Sequence, residues 1–303
     1  IYSLAMVFVS IAAYAQNWAP VGENIRSEWA EQVDPSNPLP AYPRPQMVRA
    51  DWMNLNGLWN YAITEASAEE FMTDGQILVP FALESSLSGV GKRITKDDAL
   101  WYEREFTVPK KWKGKNIILH FGAVDWQADV FVNGTPVGAH KGGFDPFSFD
   151  ITPYLKKSGK QILTVKVQDA TDNSFQPRGK QCFINRGIWY TPVSGIWQTV
   201  WLEPVNPSHI NNYYVVSDVD NSTMSFEVAA TVAEGDVVKV AVLEGGEGYS
   251  AEKPSNAVLA ESVVVDGKAV VNIPDMKIWS PDSPYLYGIK VSVERNGKVI
   301  DSV

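Results

Sequence analysis

Glu103 and Glu105 stand two residues apart in a segment with strand character. Alternate residues of a strand share a face, so these carboxyls lie about 7 Å apart. That spacing overlaps the range of about 6.5–9.5 Å used by carboxylate pairs that hydrolyse glycosidic bonds with inversion. A solvated outer face of an antiparallel sheet carries such acids far more often. Asp169 with Asp172, and Asp97 with Asp98, fall in loop-like segments whose oxygens could hold Ca²⁺, although surface loops carry such acids routinely. Ser194-Gly195 lacks the preceding glycine of a nucleophile elbow, and Gly89-Val90-Gly91 is too short to cradle a phosphate. Cys182 is the single cysteine, and His120, His140 and His209 show no ligand spacing. No disulfide framework, metal centre or cofactor is therefore expected. Asn133-Gly134-Thr135 and Asn221-Ser222-Thr223 match the glycosylation sequon, a pattern frequent by chance.

The aromatic residues carry a stronger hint. The chain has 11 Trp, 12 Tyr and 12 Phe among 303 residues. A sugar ring offers a face of C–H groups that packs on an indole, while its hydroxyls seek amides and carboxylates. Trp126, Gln127, Asp129 and Asn133 form such a set along one strand and its turn. For any single tryptophan, filling the space between two sheets is the commoner use. Lys plus Arg is 26 against 35 Asp plus Glu, a net charge of −9 that argues against nucleic acid as a partner. Nothing in the sequence sets an oligomeric state.

Period-2 patterns between turn signals must position these residues. Ile117, Leu119 and Phe121 alternate with Ile118, His120 and Gly122. Trp126, Ala128, Val130 and Val132 share one face of a strand and Gln127, Asp129 and Phe131 the other, followed by the hairpin pair Asn133-Gly134. Leu163, Val165 and Val167 make a further strand. Only residues 67–73 read as helical, with Ser67 and Glu70 placed as a capping box. Residues 34–45 hold five prolines and are expected to lie extended over the surface. Near Pro204 and Pro207 the strands change from Trp-rich to Val-rich, and only Trp279 of the tryptophans follows. About seven strands follow, with Asp266-Gly267 and Asn296-Gly297 as hairpin turns, which matches an immunoglobulin-like sandwich.

Residues 1–15 read as an export signal, with an apolar run from Leu4 to Ala13 and small residues at Ala13 and Ala15. The run is too short to span a membrane. The missing Met and basic region, and a last strand cut at Val303, lead us to expect truncation at both ends. The expected order is a signal at 1–15, a Pro-rich segment at 16–50, one sandwich at 51–205 and a second at 206–303. The protein would be exported, periplasmic or secreted.

Several segments, in order, resemble glycoside hydrolase family 2. Arg44-Pro45, Asp51-Trp52 and Leu55-Asn56-Gly57-Leu58-Trp59 resemble its opening. Val79-Pro80-Phe81, Glu84-Ser85, Trp101-Tyr102, Val132-Asn133-Gly134 and Gly142-Gly143-Phe144 follow. Ser194-Gly195-Ile196-Trp197 comes next, and Trp279-Ser280-Pro281 with Pro284-Tyr285-Leu286-Tyr287 resembles the end of the family's immunoglobulin-like domain. The resemblance implies an all-β chain, a jelly-roll sugar-binding β-sandwich followed by an immunoglobulin-like β-sandwich. It also implies a (β/α)₈ barrel downstream carrying both catalytic glutamates, so no catalytic residue is expected within these 303 residues. Asn133 is the position to which it assigns a substrate contact, and Trp189 stands where some galactosidases have a sodium-binding Asp. The implied activity is retaining exo-hydrolysis of an oligosaccharide or glycoside. A free-standing carbohydrate-binding module and a β-sandwich adhesin are the alternatives.

Overall fold

The computed structural model describes residues 18–23, 25–247 and 257–303. The export signal expected at residues 1–15 lies outside them. Among the described residues there is no α-helix, only short 3₁₀ turns between strands. The first sandwich contains β1 (Met53–Asn54), β2 (Gly57–Glu65), β3 (Gly75–Val79), β4 (Asp98–Phe106), β5 (Asn116–Phe121) and β6 (Val124–Asp125). It continues with β7 (Gln127–Val132), β8 (Thr135–Lys141), β9 (Phe147–Asp150), β10 (Gln161–Gln168), β11 (Gly195–Ile196) and β12 (Val200–Val205). A six-stranded sheet ordered β3-β2-β4-β10-β7-β8 packs on a four-stranded sheet ordered β1-β12-β5-β9, and β11 pairs with β6 at one end.

Alternation explains this packing. On β10, Leu163, Val165 and Val167 point inward beside Val132, Val130 and Ala128 of β7, while the residues between them face out. Leu119 and Phe121 of β5 and Val200 and Leu202 of β12 close the core from the other sheet. Trp126 departs from the expected phase: β7 begins at Gln127, and the indole is half-buried under the Lys141 ammonium, 5.6 Å from its ring centre.

Residues 67–73 are not helical. Lys166 Nζ donates to the carbonyls of Ala66 and Ala68 at 2.9 and 2.7 Å, and Phe71 stacks on Trp101 at 5.0 Å. These contacts hold the segment as an extended strap across the outer face of the six-stranded sheet. Tertiary contacts here override a local capping pattern.

Seven strands follow: β13 (His209–Asp218), β14 (Thr223–Thr231), β15 (Val237–Glu247), β16 (Val258–Val263), β17 (Lys268–Asn272), β18 (Tyr285–Arg295) and β19 (Lys298–Ser302). They form sheets ordered β13-β14-β17 and β16-β15-β18-β19 around a separate core of Phe226, Val240, Val242, Val291 and Val293.

The Pro-rich segment does more than cover the surface. Met47 is buried in the second core, and Tyr213 Oη donates to the Gln46 carbonyl at 2.6 Å. Arg49, only 7% exposed, pairs with Asp301 of β19 at 2.5 Å and donates to the Ile210 carbonyl at 2.7 Å. It also lies 3.5 Å from Glu203 of β12, to which Arg44 bonds at 2.8 Å and Tyr42 donates its hydroxyl proton. The segment thus bolts the two sandwiches together. Burial opposes charge on Glu203, but His120 at 3.3 Å, Arg44 and Tyr42 together hold its carboxyl at about 2.

Candidate functional site

The end of the first sandwich formed by β6 and β11 carries the long segment 169–194, and buried polar groups hold that segment in place. Asp169, 1% exposed, accepts from the Thr171 backbone N–H at 2.7 Å, Gln176 Nε2 at 2.6 Å and Ser194 Oγ at 2.7 Å. Gln181 donates to Asp125 Oδ2 at 3.0 Å and accepts from the Val193 N–H at 2.6 Å. Glu84 Oε2 accepts from the Ser194 N–H at 2.9 Å.

Two glycines permit this close packing. Gly195 (φ +87°) sits where a Cβ would meet Tyr102 Oη at 2.0 Å, and a Cβ on Gly143 would meet the Asp125 carboxyl at 2.5 Å. The Ser-Gly pair is therefore a packing device rather than a nucleophile turn.

Burial pushes Glu84 up to about 7, and the same cause pushes Asp125 up to about 7. Glu84 Oε1 and Asp125 Oδ1 have no hydrogen-bond partner, which is costly for an ionised carboxylate. Among the described residues, no three His, Cys, Asp or Glu side chains converge as a ligand set. The Asp169 oxygens are taken by the donors above, Asp172 by Cys182 Sγ at 2.8 Å, and Asp98 by Thr95. Asp97 pairs with Lys96 on the surface.

Outside this network the segment turns aromatic and cationic side chains to solvent. Phe175, Ile184, Ile188, Trp189 and Tyr190 are exposed. Residues 173–190 contain Arg178, Lys180 and Arg186 and no acid. The Arg178 guanidinium lies over the Trp189 ring, 5.2 Å from its centre. Trp197 closes the base of this end by donating to the Gly143 carbonyl at 2.7 Å, with Phe144 against it.

Asn133 lies at the other end of β7, about 20 Å from Gln127 at 3.3 Å per residue. Its Nδ2 donates to the Tyr154 carbonyl and to Gln161 Oε1, both at 2.9 Å, and its Oδ1 accepts from the Ile162 N–H at 3.0 Å. Both amide protons are spent inside the domain. Trp126 and Asn133 are thus separated rather than gathered into one platform. Glu103 and Glu105 do share the outer face of β4, where Glu105 pairs with Lys160 at 2.6 Å in solvent. Sequence reasoning missed Glu84, Asp125 and Gln181. For Asp125 the available signal was an acid set between the apolar Val124 and Trp126.

Two family profiles match end to end. Residues 89–204 match the description "Glycosyl hydrolases family 2, sugar binding domain", and residues 208–303 match "Glycosyl hydrolases family 2". The chain belongs to glycoside hydrolase family 2. It is similar to a β-galactosidase of Thermoanaerobacter pseudethanolicus, 31% identical over 67% of this chain and 27% of that protein. It is also similar to the β-galactosidase BoGH2A of Bacteroides ovatus, 31% identical over 71% of this chain and 25% of that protein. The β-glucuronidase structure of Ruminococcus gnavus superposes with a TM-score of 0.66 and 22% identity, covering 87% of this chain and 46% of that one. That likeness shows the fold. This member of the family spans less than half the length of each of these relatives.

Proposed function

We propose that these 303 residues are the non-catalytic, N-terminal part of an exported β-glycosidase that works with retention on a galactoside or glucuronide. The end-to-end match to the family's sugar-binding domain and its following domain carries this reading. The names of the relatives supply the substrate class, β-galactosides for two and β-glucuronides for others. Retention requires two carboxyls about 5–5.5 Å apart, one as nucleophile and one as acid and then base. Three acids of this chain are engaged otherwise: Glu84 and Asp169 bind backbone and side-chain donors, and Glu105 faces solvent beside Lys160. The family resemblance implies that both catalytic carboxyls lie on a barrel downstream of these residues. The segment 169–194, with Trp189 and Tyr190 exposed, is the part we assign to face the glycoside in the longer protein.

The purified 303-residue chain is the test. It should release no nitrophenol from aryl β-galactosides or β-glucuronides. Turnover abolished by Glu103→Gln or Glu105→Gln would overturn the assignment.

A further inference from the structure

The outer face of the six-stranded sheet holds a groove that the glycosidase reading does not use. Register places Asn60, Glu103, Thr164 and Phe131 side by side across β2, β4, β10 and β7. At 4.8 Å per strand this row is about 14 Å long. The strap at 66–73 walls one side, fixed by Lys166 and by Phe71 stacked on Trp101. The hairpin at Gly134 closes the other side. The groove is open to solvent and holds about 480 Å³, within the range of about 300–1,000 Å³ usual for small-molecule sites.

We propose that this groove is a non-catalytic binding site for a neutral oligosaccharide. Phe71 and Phe131 line it with aromatic surface, which suits the C–H faces of sugar rings. Glu69, Glu70 and Glu103 offer carboxylate oxygens to hydroxyl donors, and Thr164 adds a hydroxyl. No cation lines the space; the nearby Lys166 ammonium is committed to the Ala66 and Ala68 carbonyls and to the Trp101 ring. Three carboxylates without a facing cation repel uronates and sulfated sugars, so the groove selects against charge. The pair that first drew notice in the sequence thereby divides: Glu103 faces a ligand, whereas Glu105 is a surface ion-pair partner.

Intrinsic tryptophan fluorescence and calorimetry on the whole chain test this, because Trp101 lies at the floor of the groove. The probes are galactotetraose, xylotetraose, mannotetraose and cellotetraose, with tetragalacturonate as the charged control. At least one neutral probe should bind, and tetragalacturonate should not. Phe131→Ala, at a half-exposed position, should weaken that binding about tenfold, and Glu103→Ala should weaken it independently, with circular dichroism unchanged in both. Failure of all four neutral probes at about 10 mM would overturn the proposal. So would equal binding of tetragalacturonate, or binding that ignores both substitutions. Loss of hydrolysis in the longer protein does not enter this readout, so the two readings fail separately.

Discussion

Replacing Asn133 by Asp separates a turn-holding role from a substrate contact. The backbone at Asn133 has φ +53°, which Asp tolerates nearly as well as Asn, so turn preference changes little. The side chain is where the cost falls. Oδ1 still accepts from the Ile162 N–H, but the second oxygen now faces the Tyr154 carbonyl and Gln161 Oε1, both acceptors. Gln161 cannot relieve this by flipping. Its Oε1 also accepts from the Lys156 N–H, and its Nε2 donates to the Gly159 carbonyl at 3.1 Å. Two lost hydrogen bonds, with a carboxylate oxygen set against two acceptors, amount to about 3 kcal/mol. For a domain of this size that lowers the melting temperature by about 6–12 °C. Protonating the new carboxyl restores one donor, so the loss should shrink as pH falls towards 4. Differential scanning calorimetry between pH 4 and 8 reads this directly. A melting temperature within about 2 °C of the parent, together with a tenfold fall in kcat/KM of the longer enzyme, would refute the packing argument and restore Asn133 as a sugar ligand.

Asp125→Asn should raise stability at pH 8 and leave it nearly unchanged at pH 4. The native carboxyl keeps its proton to about 7 while the unfolded one loses it near 3.8, so stability falls as pH rises between those values, by up to about 4 kcal/mol. Glu203→Gln should destabilise by about 3–5 kcal/mol by leaving Arg44 without its carboxylate partner. Glu203 is depressed to about 2, so its stabilisation is present above about 4.5 and lost as pH falls towards 2, and the variant should lack that acid-side decline in urea titrations. Limited proteolysis should cut first within the exposed segment 173–190 and spare 204–209. There Val205 belongs to β12, Asn206 donates to the Ile300 carbonyl and Ser208 is buried. First cuts at 204–209, read by mass spectrometry, would show that the two sandwiches are joined by an open linker.

The strand pattern was legible because alternation records burial directly, as Leu163, Val165 and Val167 illustrate. Hairpin turns were equally plain: Asn133, Asp266 and Asn296 all adopt positive φ, each followed by a glycine that does too. The strap at 67–73 was misread because Ser67 and Glu70 describe only local preference, whereas Lys166 acts from a strand about a hundred residues away and Trp101 from the sheet beneath. Asn133 shows a further limit. An amide that can serve a sugar can equally serve Tyr154 and Gln161, and sequence spacing does not distinguish them. Arg49 was unremarkable as a sequence position, since its partners Glu203 and Asp301 are fixed only by the meeting of two domains.

The Arg49–Asp301 pair also sets a timetable for synthesis. The two residues are 252 apart, so at about 5–20 residues per second Arg49 leaves the ribosome roughly 13–50 s before its partner. Glu203 arrives earlier, and the first sandwich can close around it while the second is still being made. Until β19 is added, Met47 lacks its finished core and Arg49 has Glu203 but not Asp301. The segment encoded near the start of the chain thus waits for the second sandwich, and the nascent protein carries an exposed methionine for that interval. A chaperone that binds emerging chains would find apolar surface there, at the seam between the two sandwiches.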